Sequence, residues 1–206
     1  RPILDSRAAE ANTVFFAFKG ENVDGHAYVA DAFKRGAIAA VVERDVDVAA
    51  DVLDVASGAA GRAVTPPLLI RVRNTLDALQ NAARFWRQQL TPRVIGITGS
   101  VGKTTTKEVV TKVLASRYHV QRSTGSYNNE IGLPLTLLQL TDAETYSVLE
   151  MGMYVRGDIR ALAEIARPHV GIITNVEPVH LERAGSIENI ALGKRELVES
   201  LPPAPQ

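Results

Sequence analysis

The sequence predicts an α/β fold: a small N-terminal α/β domain, then a second α/β domain organised around a mainly parallel sheet. Three observations predict it. "RVIGIT" (93–98), "TYSVLEM" (145–151) and "HVGIITNV" (169–176) are near-continuous apolar runs of strand length, as expected of parallel strands covered on both faces. Helical spacing separates them, most plainly at Ile159, Leu162, Ala163 and Ala166. A glycine-containing turn, "GITGSVGKTTT" (96–106), leaves the first of these strands and opens onto a further helical pattern, so strand and helix alternate as in βαβ units.

From the N-terminus, "TVFFAF" (13–18) reads as a strand and "KGENVDGH" (19–26) as a polar loop. Tyr28, Val29, Ala32 and Phe33 recur at helical spacing before Gly36, and "AIAAVV" (37–42) is a buried strand candidate. Residues 46–65 are rich in Ala, Val and Asp and close at Pro66-Pro67; they read as a poorly specified helix and loop. "LLIRV" (68–72) is a further strand. Asn74 with Asp77 resembles a helix start, where a side-chain oxygen accepts an orphan backbone N–H. Leu76, Leu79, Ala83, Trp86 and Leu90 mark that helix's core-facing stripe, and Pro92 ends it. The domain boundary is placed near residue 73.

With 206 residues the chain has room for one large domain or two small ones, and 46% apolar against 22% charged residues suits a sizeable buried core. Lys plus Arg equals Asp plus Glu at 23 each, so bulk charge points to neither a nucleic acid nor a membrane surface. Cysteine is absent, which removes disulfides and thiolate–metal sites. No run approaches the ~18 apolar residues of a membrane span, and no signal peptide opens the chain. A cytoplasmic protein without membrane insertion is expected. The opening arginine, with no initiator methionine, reads as the start of a fragment.

The turn at 96–106 carries the chemistry. The general phosphate-loop pattern G-x-x-x-x-G-K-[ST] places glycine where Ile97 stands, but Gly99, Gly102, Lys103 and Thr104 remain. After Lys103, Val109, Val110, Val113 and Leu114 are spaced to pack a helix. Gly99 and Gly102 thus fall in a strand-to-helix turn, where backbone N–H groups and the helix N-terminus favour phosphate oxygens. A plain glycine turn with a surface lysine is the bland reading, and the agreement of strand, glycines, Lys-Thr and helix weighs against it.

Other candidates sit at strand ends. Glu150 closes "YSVLE", where an acid can hold Mg²⁺, and Asn175 closes "GIITN". His180, in "NVEPVHLE", lies on a loop at the same edge, either a structural histidine or a ligand; His119 and His169 read as structural. "TGSYNNEIGLP" (124–134), with Asn128 and Asn129, is either an ordinary turn or a lining of the groove beside the phosphates. Lys194 falls on the apolar stripe of Ile187, Ile190, Ala191, Leu197, Val198 and Leu201. It either snorkels past that surface or points into a site, where burial lowers an amine's pKa and makes it reactive.

With these residues in view, the chain resembles the Mur ligases of bacterial cell-wall synthesis. "DSR" (5–7), "FFAFKGENVDGHAYVADAFKRGAIAAVV" (15–42), "GITGSVGKTTTKE" (96–108), "NNEIGLPLTLL" (128–138), "EMG" (150–152), "IARPHVGIITNVEPVHLE" (165–182) and "GSIENIALGKRELV" (185–198) follow in the family's order. Its own phosphate loop has the form T-G-x-x-G-K-T. Within the family, the likeness is greatest to members that join D-alanyl-D-alanine to UDP-N-acetylmuramoyl-tripeptide through an acyl phosphate.

The resemblance implies a UDP-substrate-binding domain over 1–73, touched through Ser6, Arg7, Lys19, Asp24, Gly25 and His26. It implies an ATP-binding domain over 74–206, a partial phosphate-loop domain in this chain. ATP is expected at Gly99, Ser100, Val101, Gly102, Lys103, Thr104, Thr105 and Asn175, and Mg²⁺ at Thr104, Glu150, His180 and Lys194. Lys194 would be carried as a carbamate, Lys103, Lys194 and His180 would be the catalytic residues, and Asn128 and Asn129 would lie beside nucleotide and muramoyl substrate. A monomer is expected. Residues 43–67 are longer and richer in alanine than the family pattern, and nothing functional is carried onto them. Family members have a third, C-terminal domain that binds the incoming amino acid or dipeptide; the chain ends before it and is expected not to ligate alone. Two rivals stand beside this reading: the sister ligase that adds the third amino acid, against which Gly99-Ser100-Val101-Gly102 and Asn128-Asn129 speak, and a truncated nucleotide-binding homologue without ligase activity.

Overall fold

The computed structural model describes residues 1–55, 57–58, 63–125, 127–179 and 181–203. Its contacts divide the chain into Arg1–Leu79 and Gln80–Gln206.

In the first unit, β1 (Pro2–Ile3), β2 (Val14–Phe16), α1 (Val29–Lys34), β3 (Ala39–Val42), β4 (Asp51–Asp54) and β5 (Leu68–Arg71) follow in order. The strands form one sheet in the order β1-β2-β3-β5-β4, with every pairing parallel. All four residues of β3 are buried, as its central place requires. Phe15, Val29, Ala32, Ala40 and Leu69 build the core. The helix and loop expected over 46–65 is corrected: Asp51–Asp54 is an edge strand paired with β5 in the register Asp51↔Leu68 to Asp54↔Arg71. The Arg71 guanidinium pairs with both Asp54 and Asp45, so the strand is held by long-range partners that local composition does not show. Residues 56 and 59–62 of that stretch lie outside the described residues.

The second unit begins within α2 (Thr75–Gln89). It continues with β6 (Arg93–Thr98), α3 (Lys103–Ala115), β7 (Val120–Arg122), α4 (Gly132–Leu137), β8 (Tyr146–Glu150), α5 (Asp158–Ala166), β9 (Val170–Ile173), α6 (Leu181–Ala184) and α7 (Ile187–Glu199). The sheet order is β7-β8-β6-β9, all parallel. One face packs Val94, Leu149 and Met151 against Leu133, Ile159, Leu162 and Leu197; the other packs Ile95, Ile97 and Val148 against Val110 and Leu114. Three short elements, β7, α4 and α6, were not anticipated from the sequence. Ile97 pairs with Glu150 and Thr98 with Ile173, so β6, β8 and β9 release their chain ends at one edge of the sheet. Ligands of open α/β sheets bind at that edge.

Three helix faces differ from the periodicity reading. On α3, Val109 and Val113 are exposed, while Lys107 and Thr111 are buried. The inward face runs 107, 110, 111, 114, an equally good helical spacing that apolarity alone does not select. On α7 the buried residues are Ile190, Gly193, Lys194, Glu196 and Leu197, whereas Ile187, Ala191 and Val198 face outward. On α2, Trp86 is half-exposed with its Nε1 donating to the Leu140 carbonyl at 2.9 Å, and the buried position is Arg87. Among the described residues, no helix is long and apolar enough to cross a membrane.

Arg87 replaces an apolar core residue because it closes helix ends. Its guanidinium donates to the carbonyls of Ala166 and Leu90 at 2.9 Å each and of Pro92 at 3.3 Å. The Ala166 and Leu90 carbonyls are orphan acceptors that helix C-termini leave, and Pro92 lies in the connection just before β6. Arg87→Met is expected to destabilise the second unit by roughly 2–4 kcal/mol, because buried acceptors lose a charged donor. Urea unfolding checks this; an unchanged midpoint would contradict it.

Candidate functional site

Gly99 and Gly102 shape the turn after β6. A Cβ at Gly99, where φ is +148°, would lie 1.8 Å from Thr174 Oγ1, so only glycine lets the loop pass the end of β9. Gly102 caps α3 in the left-handed region at φ +85°. The loop is clasped from β9: the Ser100 and Val101 N–H groups donate to Asn175 Oδ1 at 3.0 and 2.9 Å. Thr174 Oγ1 donates to the Val101 carbonyl at 2.6 Å, and Ser100 Oγ bonds both the carbonyl and the N–H of Glu177 at 2.9 and 2.8 Å. In this structure Asn175 therefore holds the loop through its amide oxygen. Lys103 Nζ donates back to the carbonyls of Gly99 and Ser100 at 2.8 and 3.3 Å, and Thr105 is exposed two residues on.

Glu150 is the centre of the polar cluster. The last residue of β8, it is 2% exposed. Thr104 Oγ1 donates to its Oε2 at 2.9 Å, and Asn128 Nδ2 donates to its Oε1 at 2.8 Å. Its backbone N–H donates to Ser123 Oγ at 3.1 Å. The Lys107 ammonium stands 4.0 Å from Oε2. The sequence reading singles out neither Ser123 nor Lys107; a usable signal is that Lys107 follows Lys103 at i+4 on the same helix face.

A cavity of about 370 Å³ opens beside this cluster, with Lys103, Lys194, Asn128 and Asn129 at its polar side and Leu162, Ile165 and Ile190 at its apolar side. Lys194 is 2% exposed. Burial lowers its amine to about 8, and the nearby Lys103 charge adds to the shift. Its Nζ donates to Met153 Sδ at 3.8 Å. Lys103 is likewise lowered by burial, an effect that the Glu150 carboxylate opposes. Two desolvated amines at one cavity favour an anionic occupant. Asn129 Oδ1 accepts from the Gly132 N–H at 2.9 Å and so braces the start of α4. His180 lies outside the described residues, and among those described no three His, Cys, Asp or Glu side chains converge as a metal site. His169 Nδ1 accepts from the Val94 N–H at 3.1 Å.

The six candidates of the first unit fall near its surface loops. Ser6 is buried and its Oγ donates to Asp31 Oδ2 at 2.8 Å. Arg7 is exposed and pairs with Asp5, whose carboxyl it holds down to about 2. Lys19 and Asp24 face each other in an isolated antiparallel backbone bridge, and a Cβ on Gly25 would meet the Phe18 carbonyl oxygen at 2.7 Å. Arg44 and His26 hold the Asp24 carboxyl well below the usual range. His26 is buried; its Nε2 accepts from the Glu43 N–H at 2.9 Å, so its Nδ1 carries the proton toward Asp24 Oδ1 at 2.6 Å. Both ring nitrogens are thus engaged within the unit.

The second unit is a phosphate-loop α/β domain with an acid, an asparagine and two lysines around the loop. The family model for the Mur ligase middle domain matches residues 97–205, and that for the Mur ligase family catalytic domain matches residues 3–87. The chain belongs to the Mur ligase family. It is 42% identical over 199 residues to a UDP-N-acetylmuramoyl-tripeptide–D-alanyl-D-alanine ligase of Synechocystis sp., an alignment covering 97% of this chain and 41% of that protein. MurF from Acinetobacter baumannii superposes with a TM-score of 0.83 at 33% identity, over 98% of this chain and 41% of that one. MurF ligase from Thermotoga maritima, solved in complex with ADP, gives 0.81 at 34% identity, over 98% and 43%. The chain therefore spans about two fifths of the length of the relatives it matches.

Proposed function

We propose that the protein to which this chain belongs is an ATP-dependent ligase that joins D-alanyl-D-alanine to UDP-N-acetylmuramoyl-tripeptide. The observation that carries the reading is the convergence of Lys103, Asn128 and Lys194 on one cavity at the carboxyl edge of a parallel sheet, with Glu150 hydrogen-bonded to Asn128 and to Thr104 beside it. The identity to ligases of that name over nearly the whole chain supports it.

In this reading Arg1–Leu79 is the UDP-substrate domain, with Ser6, Arg7, Lys19, Asp24 and Gly25 around the nucleotide and His26 bracing Asp24. Gln80–Gln206 is the ATP domain. The donors present fit Mg²⁺: a hydroxyl and a carboxylate oxygen 2.9 Å apart, beside a loop suited to phosphates, are the hard-oxygen set that magnesium takes with nucleotide. Bound there, Mg²⁺ would neutralise charge between phosphate oxygens. Thr104 and Glu150 would hold it, and Lys103 would leave the Gly99 and Ser100 carbonyls for the β/γ-phosphates. The free N–H groups at the start of α3 would cradle the same phosphates, while Asn175 keeps the loop in shape. Lys194, as a carbamate, and His180 would serve a second cation. Asn128 and Asn129 would line the muramoyl side. A carboxylate and a triphosphate must meet here, so cations and aligned N–H dipoles supply most of the stabilisation. A cytoplasmic monomer belongs to the same proposal.

The test uses the full-length protein with ATP, Mg²⁺, UDP-muramoyl-tripeptide and D-alanyl-D-alanine. Pentapeptide product with equimolar ADP and phosphate is expected. Product without ATP consumption, or no product with the dipeptide but product with a single amino acid and the dipeptide precursor, would overturn the reading.

A further inference from the structure

Lys107 has no place in the phosphate-loop pattern, yet its side chain is fully buried. Its ammonium donates to the carbonyls of Ser123 and Gly125 at 3.0 Å each. The same nitrogen stands 3.5 Å from Glu108 Oε1 and 4.0 Å from Glu150 Oε2. Burying an ammonium is strongly unfavourable unless it is paired and hydrogen-bonded. A methionine of similar length would avoid that desolvation but would leave the Ser123 and Gly125 carbonyls without their donor, as at Arg87, so what sets this lysine apart is where those two carbonyls lead.

What the ammonium joins is the site. Ser123 and Gly125 lead into Asn128, whose amide donates to Glu150 Oε1. The Ser123 hydroxyl accepts from the Glu150 N–H. Thr104, one turn earlier on α3, donates to Glu150 Oε2. One cation therefore ties together α3, the strand-exit segment after β7 and the end of β8, which are the three elements that surround the Glu150 carboxylate.

We propose that Lys107 is a positioning residue for the nucleotide–metal site, holding the segment that starts at Ser123 against α3 so that Asn128 and Thr104 keep both Glu150 oxygens in place. The proposal rests on the ATP-dependent reading above. It differs from a packing role in a measurable way. Loss of the ammonium should weaken use of Mg–ATP selectively, because the carboxylate is released from its orientation while the rest of the core is unchanged.

The experiment is steady-state ligation by the full-length protein carrying Lys107→Met, Asn128→Ala or both, with thermal melts of each. Lys107→Met is expected to raise KM for Mg–ATP about tenfold, the scale of losing charge-assisted hydrogen bonds, with KM for the dipeptide unchanged. The double variant should be little worse than the more damaged single one, because both act through Glu150. Should the methionine variant not fold, Lys107→Gln, which keeps a donor for one carbonyl, is expected to give a smaller rise of the same kind. An unchanged KM for Mg–ATP in the folded variant, a parallel rise for all substrates, or full additivity with Asn128→Ala would overturn the role. A wild-type protein that ligates normally in the same assays keeps that failure distinct from failure of the ligase reading itself.

Discussion

Lys103→Ala in the full-length protein is expected to abolish ATP-dependent ligation, lowering turnover by about a thousandfold or more while leaving the fold intact. The size follows from the place of the charge. An ammonium set against transferring phosphate in a water-poor cavity stabilises developing charge that nothing else at that position can reach. The fold should survive because, among the described residues, Lys103 Nζ bonds the Gly99 and Ser100 carbonyls of its own loop. Lys103→Arg is not expected to restore activity, since the planar guanidinium carries its donors differently from a point charge. Phosphate release and product formation, read beside a melting curve, check this. Turnover near wild type in the alanine variant would remove Lys103 from the site.

Lys194→Ala is expected to lose activity to a comparable degree, with partial recovery in added acetate or another short carboxylate standing in for a carbamate oxygen. The amine is placed for modification: burial brings it to about 8, so its neutral, CO₂-reactive form is available far below the 10.5 of a free lysine. With ¹³C-bicarbonate, a carbamate resonance absent from the alanine variant is expected to grow as pH rises through about 8. The stability consequence has a definite sign. The folded-state pKa is lowered, so burial of the charged amine opposes folding below about pH 8, and that opposition fades as pH climbs toward 10.5. Lys194→Met should therefore be more stable than wild type at neutral pH and yet inactive, the pattern of a residue kept for function. A Lys194→Ala protein that turns over normally without added carboxylate would refute the role.

The strand–turn–helix at 93–115 was legible because each layer of the sequence agreed: an apolar strand, glycines where the backbone must bend, Lys-Thr, then a helix. Lys194 was legible as a contradiction, a charge at a core position of a helix, and its burial follows from the 190, 193, 194, 197 spacing. What α3 buries was not legible. Its valines suggested one face, and the structure turns Lys107 inward because Ser123, Gly125 and Glu150 offer its ammonium partners, while Thr111 is buried beside it with its hydroxyl unpaired among the described residues. The strand at Asp51–Asp54 was missed for a related reason, since its partners Leu68–Arg71 are distant in the chain and its own residues carry no clear alternation.

The sequence by itself determined the fold class, the phosphate loop and the set of polar residues available at strand ends, because these depend on local period and on residue types with few alternative uses. Only the tertiary structure decided how those residues are oriented. It placed Asn175 as the clasp of the loop and set Asn128 and Thr104 on the two oxygens of Glu150. It brought Lys103 and Lys194 to one cavity, where burial shifts both amines. Hydrogen-bond direction and desolvation are properties of groups far apart in the chain, and they come into being only when the sheet brings three strand ends to one edge.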